Sequence, residues 1–310
     1  MSKEYNKIYQ RMIRTYRALK YTGLYNIPGI KGVIYRHYSN AASKMTKDEL
    51  CYNEEYNANN IIISLTTFGD STQTVYKTII TLINQDMRPQ RIILWLDEDE
   101  FNDETLPVEL KKLREEVSFF DICFCENLKS HKKYYYSIKK YPKNIIVTAD
   151  DDVYYPSSWL EDLFRCYLQY PECVCCTNAH KMRLTSDHLI DSYNKWEYLV
   201  SDEGPDILLC PIGVGGVLYP PNIFHHDVFD KEFIIENCFN ADDLWLRIMT
   251  LLMGVKVAHI KNYPYTFLSI KNSQRNALSK DNVTNNKNDE QLCNILTKYG
   301  EEVRKVLCQR

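Results

Sequence analysis

Apolar and polar positions fall into alternating blocks over residues 60–171. The run 60–68 (NIIISLTTF) is short and rich in β-branched residues, which predicts a strand buried on both faces. Val75, Ile79, Leu82 and Ile83 then recur at helical spacing. This predicts a helix with one apolar face, capped by Asp70 or Ser71 and stopped by Pro89. A second buried strand, 91–96 (RIILWL), ends at the acidic stretch 97–100 (DEDE). After a helix around 107–116, residues 118–125 (SFFDICFC) read as a third strand. A basic-aromatic helix follows at 131–141 (HKKYYYSIKKY), then the apolar run 144–149, which ends in Asp150, Asp151 and Asp152. For 131–141 two readings stay open: a surface helix, or one whose lysines meet a phosphate.

Strands that alternate with helices and are apolar on both faces predict an α/β fold with a mostly parallel central sheet flanked by helices. In such sheets ligands bind beyond the carboxyl ends of the strands. Thr66 and Thr67, Asp97, and the three aspartates stand at such ends, so they are expected to converge on one crevice. The rest of the chain is less regular. A helix at 157–171 closes at Pro171, and 180–211 reads as an insertion over the sheet. A glycine-bearing turn lies in 212–221 (IGVGGVLYPP). A helix at 241–254 begins with Asp242 and Asp243, a last strand covers 255–260, and a terminal helix starts at Asp289 or Glu290. The expected organisation is an N-terminal basic helical extension and connector (1–58), then one domain (59–310). Within that domain, 59–178 is a nucleotide-binding half, 179–270 an acceptor half, and 271–310 a C-terminal loop and helix.

Charge adds one feature to this picture. Residues 1–40 hold eight Lys/Arg against Glu4, a net +7. The whole chain is −3, which leaves −10 for the remainder. Tyr5, Ile8, Tyr9, Met12, Ile13 and Tyr16 recur there at helical spacing. Such a helix either lies on an anionic membrane surface or packs on the main domain. The acidic body argues against nucleic acid. No apolar core follows the first basic residues and no apolar run reaches transmembrane length. The expectation is a cytoplasmic protein, peripheral on the inner face of the cell membrane if the basic helix binds lipid. Its eleven cysteines would then be reduced thiols. Cys173, Cys175 and Cys176 lack the paired spacing of a zinc site and read as small hydrophobes in a strand.

Three adjacent carboxylates with no basic neighbour, at a strand's carboxyl end, point to a hard divalent cation, Mg2+ or Mn2+. In an extended backbone Asp150 and Asp152 share one side while Asp151 faces the other. The D-x-D pair is therefore the expected metal site, and Asp151 is left for another contact. A solvated turn or a helix cap is the plainer reading.

With these strands in order, 60–68, then IITLINQDMRPQRIILWLD, then NIIVTADDDVYYPSSWLEDL resemble the nucleotide-sugar-binding half of a GT-A (Rossmann-like) glycosyltransferase of the family 2-like type. The stretch from Asn84 and Gln85 to Pro89 is similar to the family's N-Q-x-x-x-P. The resemblance implies that Thr66 and Thr67 open the nucleotide site and that Asp97 binds base or ribose. It implies that Asp150 and Asp152 hold the metal on the donor diphosphate. Asp151, Lys132, Lys133 and Arg275 would face the donor, and His259 would be a third metal ligand. Asp242 and Asp243 resemble the acidic pair of inverting members, with Asp243 as the base and N-capping as the plainer alternative. Gly215 and Gly216 resemble a G-G-x-x-Y stretch that lets backbone approach sugar or acceptor. The stretch Ser273-Gln274-Arg275-Asn276 would form a mobile lid over the donor, with a disordered surface loop as the plainer alternative. Two departures are the strand end LDEDE and the Lys132-Lys133 pair.

The implied function is metal-dependent transfer of a sugar from a nucleotide-diphosphate donor, a UDP-sugar first among them, to a glycan or lipid-linked glycan acceptor. The context would be cell-surface polysaccharide synthesis. A retaining GT-A enzyme and a metal-dependent nucleotidyl- or phosphoryltransferase are the alternatives. The latter lacks support from any G-x-x-x-x-G-K loop in the chain.

Overall fold

A computed structural model of the chain describes residues 57–200, 204–260, 267–270 and 286–309, with isolated positions between 11 and 37. The lid stretch 273–276 with Arg275, and nearly all of the basic stretch 1–40, lie outside these residues. Among the described residues no helix is long and apolar enough to cross a membrane.

The first half alternates strand and helix as the apolar pattern implies. Strand β1 spans Asn57–Thr66, helix α1 Tyr76–Ile83, β2 Arg88–Asp97, α2 Val108–Glu116, β3 Phe120–Cys125, α3 Lys132–Lys140 and β4 Ile145–Thr148. A two-residue strand β5 (Val153–Tyr154), helix α4 (Trp159–Gln169) and β6 (Val174–Cys176) follow. The second half holds β7 (Ala179–Lys181), β8 (Leu209–Pro211), β9 (Val217–Tyr219), α5 (Lys231–Asn237), α6 (Asp242–Leu251), β10 (Val257–His259), β11 (Leu268–Ser269) and α7 (Lys287–Cys308).

Seven strands form the central sheet in the order β10-β6-β9-β4-β1-β2-β3. It is parallel except at β9, which runs antiparallel to both β4 and β6. Strand β1 lies near the middle and is covered on both sides. Ile61, Ile63 and Leu65 join one core with α1, α2 and α4, while Ile62 joins Ile93, Trp95 and Ile146 on the other face. The period-2 alternation of side chains thus gives a strand with no polar face, which is why its sequence reads as a continuous apolar run. A further core gathers Tyr134, Trp245, Val217 and α7. Cys175 and Cys176 are fully buried in β6, as the small-hydrophobe reading expects.

Two boundaries differ from expectation. Asp70 and Ser71 sit in a short 3-10 turn (Gly69–Gln73), and α1 starts after Val75 without a side-chain cap. The stop at Pro89 is also displaced: α1 ends at Ile83, and Pro89 lies inside β2, beside Ala58 of β1. The intervening Gln85 acts as a clasp. Its amide donates to the Thr81 and Pro156 carbonyls (both 2.9 Å) and its oxygen accepts from Leu160 N–H, which ties α1 to the start of α4.

Candidate active site

Helix α3 determines the site, because its inner face is bolted to the sheet. Ser137 Oγ lies 2.7 Å from Ser64 Oγ of β1 and accepts from Trp95 Nε1 of β2 at 2.7 Å, while Ser64 Oγ donates to the Lys133 carbonyl. The surface-helix reading therefore fails: Lys132 and Lys133 are both buried. Consecutive helical residues diverge by about 100°, and the two lysines serve different neighbours. Burial lowers the Lys132 pKa, opposed by the carboxylates of Asp97 and Glu100. Lys132 thus belongs to the end of β2, where Asp97 is buried and accepts Asp99 N–H at 3.0 Å.

Lys133 turns the other way. Its Nζ lies 3.3 Å from Asp150 Oδ1 and 2.9 Å from Asp242 Oδ2. One buried ammonium thereby joins the aspartate turn after β4 to the N-terminus of α6. Burial works against this charge, but Asp242, Asp150 and Asp243 outweigh it and hold its pKa well above the ordinary range. Burial also raises the Asp242 carboxyl, yet Lys133 prevails and keeps it below its ordinary value. Asp243 behaves oppositely. Burial first, and then the charge of Asp242, push it up to about 7, with Lys133 opposing. Its Oδ2 accepts Gly213 N–H at 2.8 Å. Neither acid caps α6: the cap position is Ala241, without a side-chain bond. The capping alternative is set aside, because both carboxylates point to partners outside their helix.

His131 supports this arrangement from behind. Its Nε2 donates to the Cys238 carbonyl at 2.9 Å, which leaves Nδ1 to accept from Tyr134 Oη at 2.8 Å. Burial lowers its pKa to about 4, so the ring stays neutral.

The three aspartates occupy a turn rather than an extended segment, since residues 151 and 152 bend before β5. Asp150 N–H donates to Tyr155 Oη at 2.8 Å, and the Asp152 carbonyl accepts Ile270 N–H at 2.7 Å. Asp151 is held by protein groups. Thr67 donates its hydroxyl to Asp151 Oδ2, and Thr78 Oγ1 donates to the Asp151 carbonyl at 2.8 Å. Burial raises the Asp151 carboxyl to about 7 against the Thr67 bond. Thr66 donates to the Trp95 carbonyl at 2.8 Å. Thr66, Thr67 and Asp151 thus each make internal bonds that shape the turn.

Packing defines the surroundings of two further candidates. Gly215 and Gly216 have φ of +107° and +94°, and a Cβ on them would come within 2.3 Å of Thr177 Oγ1 and Trp159 Cζ2 respectively. The close approach that demands glycine is to protein, with Trp159 Nε1 donating to the Gly215 carbonyl at 2.5 Å. His259 is buried at the end of β10. Its Nε2 donates to the Thr177 carbonyl at 2.9 Å. Among the described residues, none of Asp150, Asp152 and His259 belongs to a trio of His/Cys/Asp/Glu donors whose ligand atoms lie within 4.8 Å of one another.

The glycine that meets the acid pair is Gly213, which the sequence reading passed over. A Cβ there would lie 3.0 Å from Asp243 Oδ1 and 3.3 Å from Lys133 Nζ. Gly213→Ala is expected to push Asp243 or Lys133 by a few tenths of an ångström and to lower turnover in a steady-state assay by less than about ten-fold with a near-normal fold, since a full 1 Å displacement costs up to about 100-fold. Unaltered turnover would remove Gly213 from the site.

No known family's sequence model matches this chain, and no curated protein matches it by sequence. Solved structures do match. The mannosyltransferase PcManGT from Pyrobaculum calidifontis, in complex with GDP-Man and Mn2+, has a TM-score of 0.50 at 11% identity, over 88% of this chain and 75% of that one. The fold is GT-A-like. S. aureus TarS 1-349 is also similar, with a TM-score of 0.43 at 14% identity, over 67% of this chain. This chain spans 59% of that TarS chain. TarS 1-349 in complex with UDP-GlcNAc gives a TM-score of 0.42 at 11% identity, over 67% of this chain and 57% of that chain.

Proposed function

We propose that the chain is a metal-assisted glycosyltransferase that moves a sugar from a nucleotide-diphosphate donor to an acceptor hydroxyl with inversion. One observation carries this reading. Lys133 holds Asp150 and Asp242 at 3.3 and 2.9 Å, so the donor-side aspartates and the acid pair form one site rather than two. Asp243 lies in that site with a pKa near 7, suited to a general base at neutral pH.

Asp150 and Asp152 offer only carboxylate oxygens. Two such ligands fit Mg2+ or Mn2+, which complete their coordination with water and substrate phosphates. Bound there, the ion would offset charge on the departing diphosphate. The chain's own groups do the rest. Asp243 takes the acceptor's hydroxyl proton as that oxygen attacks the anomeric carbon from the face opposite the phosphate. The bond to phosphate breaks and its electron pair leaves with the nucleoside diphosphate. Asp242, kept ionised by Lys133, raises the basicity of Asp243 through its charge. Asp97, buried at the end of β2, and Lys132, buried at the start of α3, fit the base and ribose side.

PcManGT was solved with GDP-Man and Mn2+, which supports the same ligand class here and places GDP-mannose beside UDP-sugars in a screen. The acceptor class we favour is a glycan or lipid-linked glycan of cell-surface polysaccharide synthesis. A peripheral position on the inner membrane face, through residues 1–40, is part of the same proposal.

The test is a thermal-shift screen of nucleotide sugars with and without Mn2+. A rise of a few degrees that needs both sugar nucleotide and metal is expected, and Asp152→Asn is expected to abolish it. No metal-dependent rise with any donor, or an Asp152→Asn protein that behaves like wild type, sinks the proposal. NMR of the first-formed product then reads the anomeric centre, and retention would exclude the inverting step.

A further inference from the structure

We propose that His225, His226 and Asp227 form a second metal site, for a transition ion of the Zn2+ class, at the back of the helix that carries the acid pair. Among the described residues these three side chains bring one ligand atom each within 4.8 Å of one another. Two imidazoles and a carboxylate are borderline ligands that suit Zn2+ or Ni2+, whereas the all-oxygen pair Asp150 and Asp152 suits Mg2+ or Mn2+. His226 Nε2 and Asp227 Oδ1 are 3.0 Å apart. Two ligands bonded to one ion at about 2.0–2.2 Å stand roughly 3.0–3.5 Å from each other. This pair is therefore already spaced for a shared ion. His225 Nδ1, 3.9 Å from Asp227 Oδ2, accepts Asp227 N–H only at 3.4 Å, a weak bond that a side-chain rotation can exchange for a metal.

The surroundings orient the carboxylate in the manner of an outer shell. Tyr299 Oη of α7 donates to Asp227 Oδ2 at 2.8 Å, which leaves Oδ1 towards His226. Lys298 lies 3.9 Å from Asp227 Oδ2 but pairs at 2.9 Å with Asp230, so its charge is engaged elsewhere. Three protein ligands leave a position for water, which makes the site open rather than closed.

Its location links it to the acid pair. His225 N–H donates to the Met249 carbonyl of α6 at 3.0 Å, and Trp245 Nε1 of α6 donates to the Val228 carbonyl at 3.2 Å. Met249 stands about 9 Å along the helix axis from Asp243. An ion here would brace this turn and α7 against the helix that presents Asp242 and Asp243.

Calorimetric titration of the full chain with Zn2+, in an Asp152→Asn background, tests the site without the oxygen pair. One Zn2+ per chain is expected, with a rise in Tm of a few degrees, and with Co2+ giving visible absorption from a nitrogen-oxygen ligand set. The His226 side chain is 83% exposed, so His226→Ala leaves the core intact and is expected to weaken binding at least tenfold. Absence of Zn2+ uptake overturns the proposal. So does uptake that persists unchanged in His226→Ala, as binding through the exposed Cys293 would.

Discussion

Asp243→Asn is expected to lower the transfer rate by about 10²- to 10⁴-fold, the usual contribution of a positioned general base. The pH profile distinguishes this from a loss of shape. Burial and the Asp242 charge raise the Asp243 carboxyl from 3.8 to about 7, so wild-type kcat/KM should climb as pH rises through 7 and then level. The asparagine variant should lose that limb while keeping metal-dependent donor binding. Stability runs in the opposite direction. A carboxyl whose folded pKa is raised contributes stability that is full below its unfolded value and is lost as pH rises through its folded value. Tm of the wild type should therefore fall between about pH 4 and 7, and Asp243→Asn should fall less. Asp151, also raised to about 7, shares this stability window. Asp151→Asn should soften the Tm decline yet leave the acid limb of activity in place. An acid limb that survives in Asp243→Asn would assign the base elsewhere.

Lys133→Met is expected to be the most destabilising single change at the site. It leaves Asp242 and Asp150 without the cation between them, and removing one partner of a buried ion pair costs about 3–5 kcal/mol. In a chain of this size that is a fall in Tm of roughly 10 °C. The cost lies in the unpaired charge, so the double variant Lys133→Met/Asp242→Asn should recover much of the loss. Asp242 should also lose its depressed pKa in the single variant. In the wild type a depressed carboxylate contributes stability above its unfolded 3.8, and that stability is lost as pH falls through its lower folded value. That acid limb should vanish with Lys133. A Lys133→Met protein that melts like wild type, or a double variant no better than the single, would show that the bridge does not hold the site together.

These expectations rest on residues of unequal legibility in the chain. The order of β1, α1, β2, α2, β3, α3 and β4 was readable from apolar blocks, because a central parallel strand has no polar face and writes itself as an uninterrupted run. Asp97 and the three aspartates could be placed at strand ends for the same reason. Helix α3 was ambiguous. A pattern such as HKKYYYSIKKY is compatible with solvent or with burial of lysine against acids, and only Ser137, held between Ser64 and Trp95, turns Lys132 and Lys133 inward. For glycine, the neighbours that matter lie far along the chain. Gly215 and Gly216 are required by Trp159 and Thr177, while Gly213, with no positive φ to mark it, is the one beside Asp243.

By itself the sequence determined the alternation of elements, the acidic strand end at Asp150 to Asp152 and the acidic start of α6, since these depend on residues within a turn or two of one another. Which acid pairs, which stays near neutrality and which faces the protein was decided only by tertiary structure. Lys133 reaches Asp150, 17 positions on, and Asp242, much further along the chain, only after β1, β4 and α6 have packed around α3. Charge–charge energies and burial depend on distance in space, and neighbours in sequence such as Asp242 and Asp243 are driven to opposite pKa shifts by partners that the chain order does not reveal.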